Sequence, residues 1–360
     1  MWHGRKVLVT GHTGFKGSWL SLWLAARGAH VHGFALDGAA QSFFTACGVS
    51  HILAGDTRGD IRDAAAVARC LSSAKPEIIF HLAAQPLVRE SYLAPLDTFG
   101  VNVMGTAQLL EATRSCESVK AVVVITTDKC YDNREWDWPY RENEPLGGAD
   151  PYSASKACAE LVCAAYRRSF LAASGIRVAT ARAGNVIGGG DWAADRLVPD
   201  FFRALDAGEP LSVRAPHSVR PWQHVLEPLA GYMVLAERLI ESDRFAEAWN
   251  FGPAETDARQ VGWVADELCR LVPGASWRHE KGDHRHEAGI LRLDSSKSRN
   301  RLGWQPRWNL DEALARTVEW HLAWKRGEDM AAWSLRQIAA YDVKGDSTKR
   351  LLRPAVMEAA

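Results

Sequence analysis

Lys6-Val-Leu-Val-Thr-Gly-His-Thr-Gly-Phe-Lys-Gly17 decides how this chain is read. A short apolar run ends at Thr10, glycines follow at Gly11, Gly14 and Gly17, and an amphipathic helical pattern spans 15–27. Strand, glycine loop and helix in that order build a phosphate cradle. Glycine permits a tight turn, close backbone approach and close helix–sheet packing, while the helix N-terminus offers free amides and positive potential. The spacing is G-x-x-G-x-x-G, a variant of the usual dinucleotide fingerprint. A glycine triplet alone also suits an ordinary tight turn. The agreement of strand, loop and helix favours a dinucleotide pyrophosphate, held by Gly11, Thr13, Gly14, Phe15, Lys16 and Gly17.

Outward from this loop, apolar runs alternate with helical patterns. Strands are expected over 30–36, 77–82, 119–126 and 176–182, and helices over 63–73, 97–115 and 152–173. That alternation predicts an α/β fold, a Rossmann-type doubly wound parallel sheet, with residues 1–182 as the dinucleotide domain. Beyond 182 the beat gives way to Gly188-Gly-Gly190, prolines and short helices over 197–207, 227–240 and 261–271. Residues 183–344 read as a smaller C-terminal substrate-binding region at the C-terminal edge of the strands, and 345–360 as a weakly anchored tail.

Asp37 ends the second strand, where an acid either holds the ribose diol of NAD or makes the turn beside Gly38. No Arg or Lys lies between Gly28 and Thr57 to meet a 2′-phosphate, so NAD is expected over NADP. Asp60 and Ile61 stand either against the adenine or in a solvated turn. Pro151-Tyr-Ser-Ala-Ser-Lys156 opens a helix, and a spacing of four puts Tyr152 and Lys156 on one face. There the ammonium is expected to draw the phenol's pKa down from about 10 and make it a usable base. Thr127-Asp-Lys129 closes the preceding strand, as a hydroxyl, a general acid and a base, or as a simple cap and salt bridge.

Composition excludes several classes. Lys+Arg and Asp+Glu both number 43, so nothing indicates nucleic-acid binding. No apolar run reaches the roughly 20 residues of a membrane span, and the early strand leaves no room expected for a signal peptide. Seven scattered cysteines suit free thiols in the cytoplasm, and the 12 histidines show no metal-ligand spacing, so no metal is expected. Most of the 15 tryptophans, among them Trp249, Trp263, Trp304 and Trp320, fall at positions that packing accounts for.

The glycine loop, His81-Leu-Ala-Ala-Gln-Pro-Leu-Val-Arg89, Thr127-Asp-Lys129, Arg182-Ala-Gly-Asn-Val-Ile-Gly-Gly-Gly-Asp-Trp192 and Arg220-Pro-Trp-Gln-His-Val225 together resemble the nucleotide-sugar 4,6-dehydratases of the extended short-chain dehydrogenase/reductase superfamily. The resemblance runs from about Lys6 to Leu302-Gly-Trp-Gln-Pro306, and its wording is closest to the subgroup acting on CDP-glucose. The dTDP-glucose subgroup carries Thr-Asp-Glu where this chain has Lys129, and the GDP-mannose enzymes carry a different glycine loop.

The resemblance implies an NAD-dependent hydro-lyase of deoxysugar biosynthesis. Tyr152 and Lys156 would serve oxidation at C4, Asp128 the loss of the C6 hydroxyl, and Lys129 or a neighbour the C5 proton. It implies that Leu82, Ala83 and Ala84 face the cofactor, and that Gln85, Arg89, Asn185, Arg196, Arg220 and His224 hold the nucleotide sugar. Asn102 would support the cofactor strand, and Arg285, His286 and Glu287 either close the cytidine side or form a surface loop. A homodimer or homotetramer is implied through helices 97–115 and 152–173, at Leu109, Leu161, Cys163 and Tyr166. Another nucleotide-sugar 4,6-dehydratase or a 4-epimerase, and a catalytically silent NAD-binding regulator, are the competing readings; the intact Tyr152, Lys156 and Asp128 weigh against the last.

Overall fold

A computed structural model of the chain describes residues 1–282 and 288–351, with 345–351 described by backbone alone. The strands of the main sheet are β1 (Lys6–Thr10), β2 (His30–Ala35), β3 (Gly55–Arg58), β4 (Ile78–His81), β5 (Ala121–Ile125) and β6 (Arg177–Ala183). A seventh, Ala248–Phe251, pairs with β6, and the order is Ala248–Phe251, β6, β5, β4, β1, β2, β3, all parallel. The order reverses between β1 and β4, and open α/β sheets bind ligands in the crevice at that switch point.

Successive strand side chains face opposite sides, so one strand feeds two cores. Val7 and Val9 join Phe80, Val123, Trp19, Trp249 and Tyr232 on one face. Leu8 joins Ile79, Val122, Leu71, Leu109 and Cys163 on the other. The first face is covered by helices Phe15–Ala26 and Leu226–Glu241 and by the C-terminal helices Leu310–Lys325 and Met330–Leu351. The second face is covered by Ala64–Ala74, Gly105–Arg114 and Pro151–Tyr166. Trp249, Trp304 and Trp320 are core residues, Trp263 is half-buried, and Trp138 is exposed.

Several expectations shift. β3 is polar and edge-lying, so it carries no apolar signal. The seventh strand and three covering helices come from beyond residue 182, so the sheet-bearing unit draws on both sides of the expected boundary. The helix expected over 97–115 is two helices, Pro95–Phe99 and Gly105–Arg114, joined by a wider π turn at Gly100–Met104. The expected tail begins inside a helix that continues to Leu351, and 352–360 lie outside the described residues. Beyond β6, three short strands (Asn185–Ile187, Val219–His224, Ala258–Gln260) form a small sheet over a third core around Phe201, Trp222 and Leu314. Among the described residues no helix is long and apolar enough to cross a membrane.

Candidate active site

Two of the loop glycines are sterically obligatory. A Cβ on Gly11, at φ +72°, would meet Ala83 N at 2.7 Å, and one on Gly17 would meet Gly11 O at 2.1 Å. Thus the end of β4, Leu82-Ala83, crosses directly over the loop. Gly14 is exposed and caps the helix Phe15–Ala26, which has neither a side-chain cap nor an acid in its first turn. The first-turn amides therefore suit an anion, and the cradle fits a dinucleotide pyrophosphate. Thr13 Oγ1 donates to Leu36 O at 3.1 Å, and Phe15 packs against Gly188. His12, in the middle of the loop, is fully buried and 2.9 Å from Asp56 Oδ1; its ring fills the space a Gly33 side chain would need.

Lys16 points from the first helical turn into the crevice. Burial, then the cations Arg196 and Lys156, push its ammonium down to about 8, against the pull of Asp128 and Asp191. At the loop's other side, Thr10 Oγ1 and Thr106 Oγ1 bracket the buried His81 ring at 2.7 and 3.0 Å, and burial pushes that imidazole down to about 3.

The groups expected to transfer protons meet at the C-terminal end of β5. Asp150 caps the helix Pro151–Tyr166 through Ser153 N, which aims its first turn at the strand end. Thr127 caps the single turn Asp128–Cys130 and donates to Asp128 Oδ1 at 3.0 Å, and its hydroxyl is among the neighbours that favour the Tyr152 phenolate. Asp128 is 1% exposed, and its Oδ2 has no partner. Lys156 Nζ donates to Ile125 O at 3.2 Å, and burial brings its ammonium down to about 8. Lys129 is half-buried in the turn after Asp128.

The expected lowering of the Tyr152 pKa is not present in this state. Burial pushes the phenol up to about 12; Thr127 and Arg196 oppose this, and Asp128 adds to it. The Lys156 ammonium is instead tied to the strand carbonyl. In such surroundings a cation brought into the crevice would pull the phenol strongly downward.

Around this centre the expected residues divide. Arg196 pairs with Asp191 at 3.0 Å and acts on both Tyr152 and Lys16, so it faces the reacting centre. Arg89 pairs with Asp195 at 2.6 Å, and Arg214 reaches the same carboxylate at 3.4 Å. Arg220 is buried in the small sheet and donates to Val219 O. Asn185 opens the neighbouring strand opposite Trp222.

Other placements correct the sequence reading. Gln85 spends its amide on Leu87 and Thr98, so it shapes the loop instead of facing a sugar. His224 lies fully buried beside Trp19 and Trp308, held neutral with its pKa down at about 3, so it is a core residue. Asp60 is engaged by Arg62, and Ile61 packs under Gly105. Asp37 stands exposed with Arg58 at 3.8 Å, a cation just beyond the Arg- and Lys-free stretch that ends at Thr57. That guanidinium also pairs with Asp56 and lies over Phe44. Asn102 holds Gln85 N and Ser155 from within the π turn, as a support. Leu109 and Cys163 face the chain's own core, while Leu161 is exposed. Arg285, His286 and Glu287 lie outside the described residues. Among the described residues no three His, Cys, Asp or Glu side chains gather as a metal site.

Sequence reasoning missed His12's anchoring role, Asp191, Asp195, Arg214 and the Glu160–Arg182 pair. Only Asp195 carries a local signal after the fact, a positive φ of 61°.

The family model described as GDP-mannose 4,6 dehydratase matches residues 8–317. The chain is 53% identical over 348 residues to CDP-glucose 4,6-dehydratase of Salmonella typhimurium, covering 94% of this chain and 97% of that one. Its fold is similar to UDP-glucose 4-epimerase of Thermotoga maritima with UDP-glucose, at TM-score 0.77 and 24% identity, covering 89% and 99% of the two chains. It is also similar to MoeE5 in complex with UDP-glucose and NAD, at TM-score 0.76 and 25% identity, again covering 89% and 99%. With the glycine cradle, the Tyr152–Lys156 face and the buried Asp128 converging on one crevice, the chain belongs to the GDP-mannose 4,6-dehydratase family of nucleotide-sugar enzymes on the short-chain dehydrogenase fold.

Proposed function

We propose that the chain catalyses dehydration of CDP-glucose to CDP-4-keto-6-deoxyglucose with a resident NAD. One juxtaposition carries the reading: Thr127 donates to Asp128 and its hydroxyl favours the Tyr152 phenolate, and Asp128 keeps one buried oxygen free. A base for a C4 hydroxyl and an acid for a departing C6 hydroxyl thus share one anchor. The relative named CDP-glucose 4,6-dehydratase supports the cytidine nucleotide.

NAD, when bound, supplies the hydride acceptor at C4, a positive charge that draws the phenol towards ionisation, and the donor that returns hydride at C6. Tyr152 takes the C4 hydroxyl proton, and Lys156 stabilises the resulting phenolate. Oxidation makes the C5 hydrogen acidic; Lys129 or a neighbour is assigned to remove it, and C5 is reprotonated as hydride returns to C6. Asp128 gives its proton to the C6 hydroxyl, which leaves as water. Arg196 and Arg220 are assigned to the nucleotide diphosphate, for which a guanidinium fork is suited, and Arg89 to the sugar. Gly11, Thr13, Gly14, Phe15, Lys16, Gly17 and the Leu82–Ala84 strand end (with Asp37, Asp60 and Ile61 at the adenosine side) are assigned to the dinucleotide. Residues beyond 182 mainly serve the nucleotide sugar.

We further propose that the enzyme works in the cytoplasm as a homodimer or homotetramer. Exposed Leu96, Met104, Leu161 and Phe170 on packed helices support a self-contact, which light scattering on the eluting protein would test. The function is tested by incubating the purified protein with CDP-, dTDP-, UDP- and GDP-glucose and following 4-keto product by its alkaline absorbance. CDP-glucose should be turned over by far the fastest; preference for another nucleotide would sink the assignment and leave the fold untouched.

A further inference from the structure

One buried charge has no part in the chemistry above. Glu160 follows Lys156 by four residues, as Lys156 follows Tyr152, so the three share one helical face. Its carboxylate and the Arg182 guanidinium form a two-pronged pair, Nε to Oε1 at 2.9 Å and Nη2 to Oε2 at 2.8 Å, each side chain 4% exposed. Breaking such a pair by removing one partner is expensive, while an apolar pair of similar volume often folds as well. Stability alone is therefore a weak reason for its presence.

The contacts of Glu160 are more telling than its charge. Thr126 donates to Oε1 at 2.5 Å, and Thr180 on β6 donates to Oε2 at 2.7 Å. Thr126 is the first residue after β5, immediately before Thr127 and Asp128. One residue earlier, Ile125 O accepts from Lys156 Nζ. The Tyr152 helix is thus pinned at two consecutive residues of the strand exit, Ile125 by Lys156 and Thr126 by Glu160. Arg182 extends the anchor to Tyr131 OH at 2.9 Å and Glu142 O at 3.1 Å, and Tyr131 donates on to Asn250 Oδ1 at 2.7 Å. The backbone on both sides of Asp128 is held by this one network.

We propose that Glu160 is a positioning residue, which through Thr126 fixes the register of Thr127 and Asp128 against Tyr152. The inference rests on the assignment of Tyr152 and Asp128 as the proton-transfer pair. Misplacement of such groups by about 1 Å costs on the order of 100-fold in rate.

The test is a matched pair. Thr126→Val and Thr180→Val each delete one hydroxyl from the same carboxylate, and only Thr126 leads to the reacting groups. Thr126→Val should lower kcat at least about tenfold with KM unchanged, and Thr180→Val should leave both near wild type at a similar loss of Tm. Equal kcat in the two variants would overturn the proposal. A second variant, Glu160→Met with Arg182→Met, removes both charges together. It should fold and yet stay as slow as Thr126→Val; wild-type kcat there would also overturn it. If the wild type preferred another nucleotide sugar, the functional assignment would fall, and the pair would be run on that sugar. Were no sugar turned over, the double variant's crystal structure decides: a displaced Thr127–Asp128 segment supports the inference, and an unmoved one overturns it.

Discussion

The floor and the rim of the crevice are built on opposite principles. On the floor, polar groups are buried and partnered several times over, as in Thr10–His81–Thr106 and Thr126–Glu160–Arg182. At the rim, the ion pairs are open to solvent: Arg89 and Asp195 are 52% and 36% exposed, and Asp195 sits at a positive φ. A buried network costs several kcal/mol to break and holds one geometry. An exposed pair is worth about 0–1 kcal/mol, so its guanidinium exchanges partners at little expense. The floor therefore positions, and the rim is free to hand its arginines to an anionic ligand.

Breaking the floor should have the largest effects. Tyr152→Phe should lower kcat by about 1000-fold, within the usual range for a lost general base. Asp128→Asn should lower it by about 100-fold in a different way. C4 oxidation should persist, so reduced nicotinamide should build up in a single turnover and be visible by its near-ultraviolet absorbance. Absence of that signal would remove Asp128 from the elimination step. Arg220, buried in the small sheet between floor and rim, comes next: Arg220→Ala should raise the KM for CDP-glucose about tenfold with kcat within twofold, since a lost charge-assisted bond is worth about 1.5–3 kcal/mol. At the rim, Arg89→Ala should change it by no more than about threefold.

A subtler contrast concerns pH. His81 and His224 are buried neutral, with pKa values pushed down to about 3 from 6.5, chiefly by burial. The unfolded chain then binds more protons, so their contribution is complete above 6.5 and is lost as pH falls towards 3. Each should add a slope of about 1.4 kcal/mol per pH unit well below 6.5. His224→Phe should flatten the acid side of a Tm-against-pH curve by one such slope, while substitutions of the exposed Arg89 should leave the curve's shape unchanged.

Much of the floor was legible because its signals are local. The β1 loop, the spacing of Tyr152 and Lys156, and the acid after Thr127 lie within short stretches whose geometry follows from strand and helix periods. The rim was less so. Asn185 and Arg220 were named from the wording of motifs, and Arg196 from the resemblance outside any quoted motif. His224, from the same motif, turned inward to the aromatic core, and Gln85 was consumed by its own loop. Arg214 and Asp195 carry no pattern that marks them in advance. Arg58 escaped notice because β3 is a polar edge strand, invisible to an apolar count.

By itself, the amino-acid sequence determined the parallel sheet, the glycine loop after its first strand and the helix that carries Tyr152 and Lys156 on one face, since each depends on residues a few positions apart. Only the tertiary structure decided that Tyr152 rests as a phenol and that Glu160 grips Thr126. It also decided that the sheet closes with a strand from 248–251. Those outcomes depend on desolvation and on partners far along the chain, Trp19 with Gly189 at 170 residues and Glu142 with Asn250 at 108. Burial and long-range pairing are properties of the packed chain, and no local spacing encodes them.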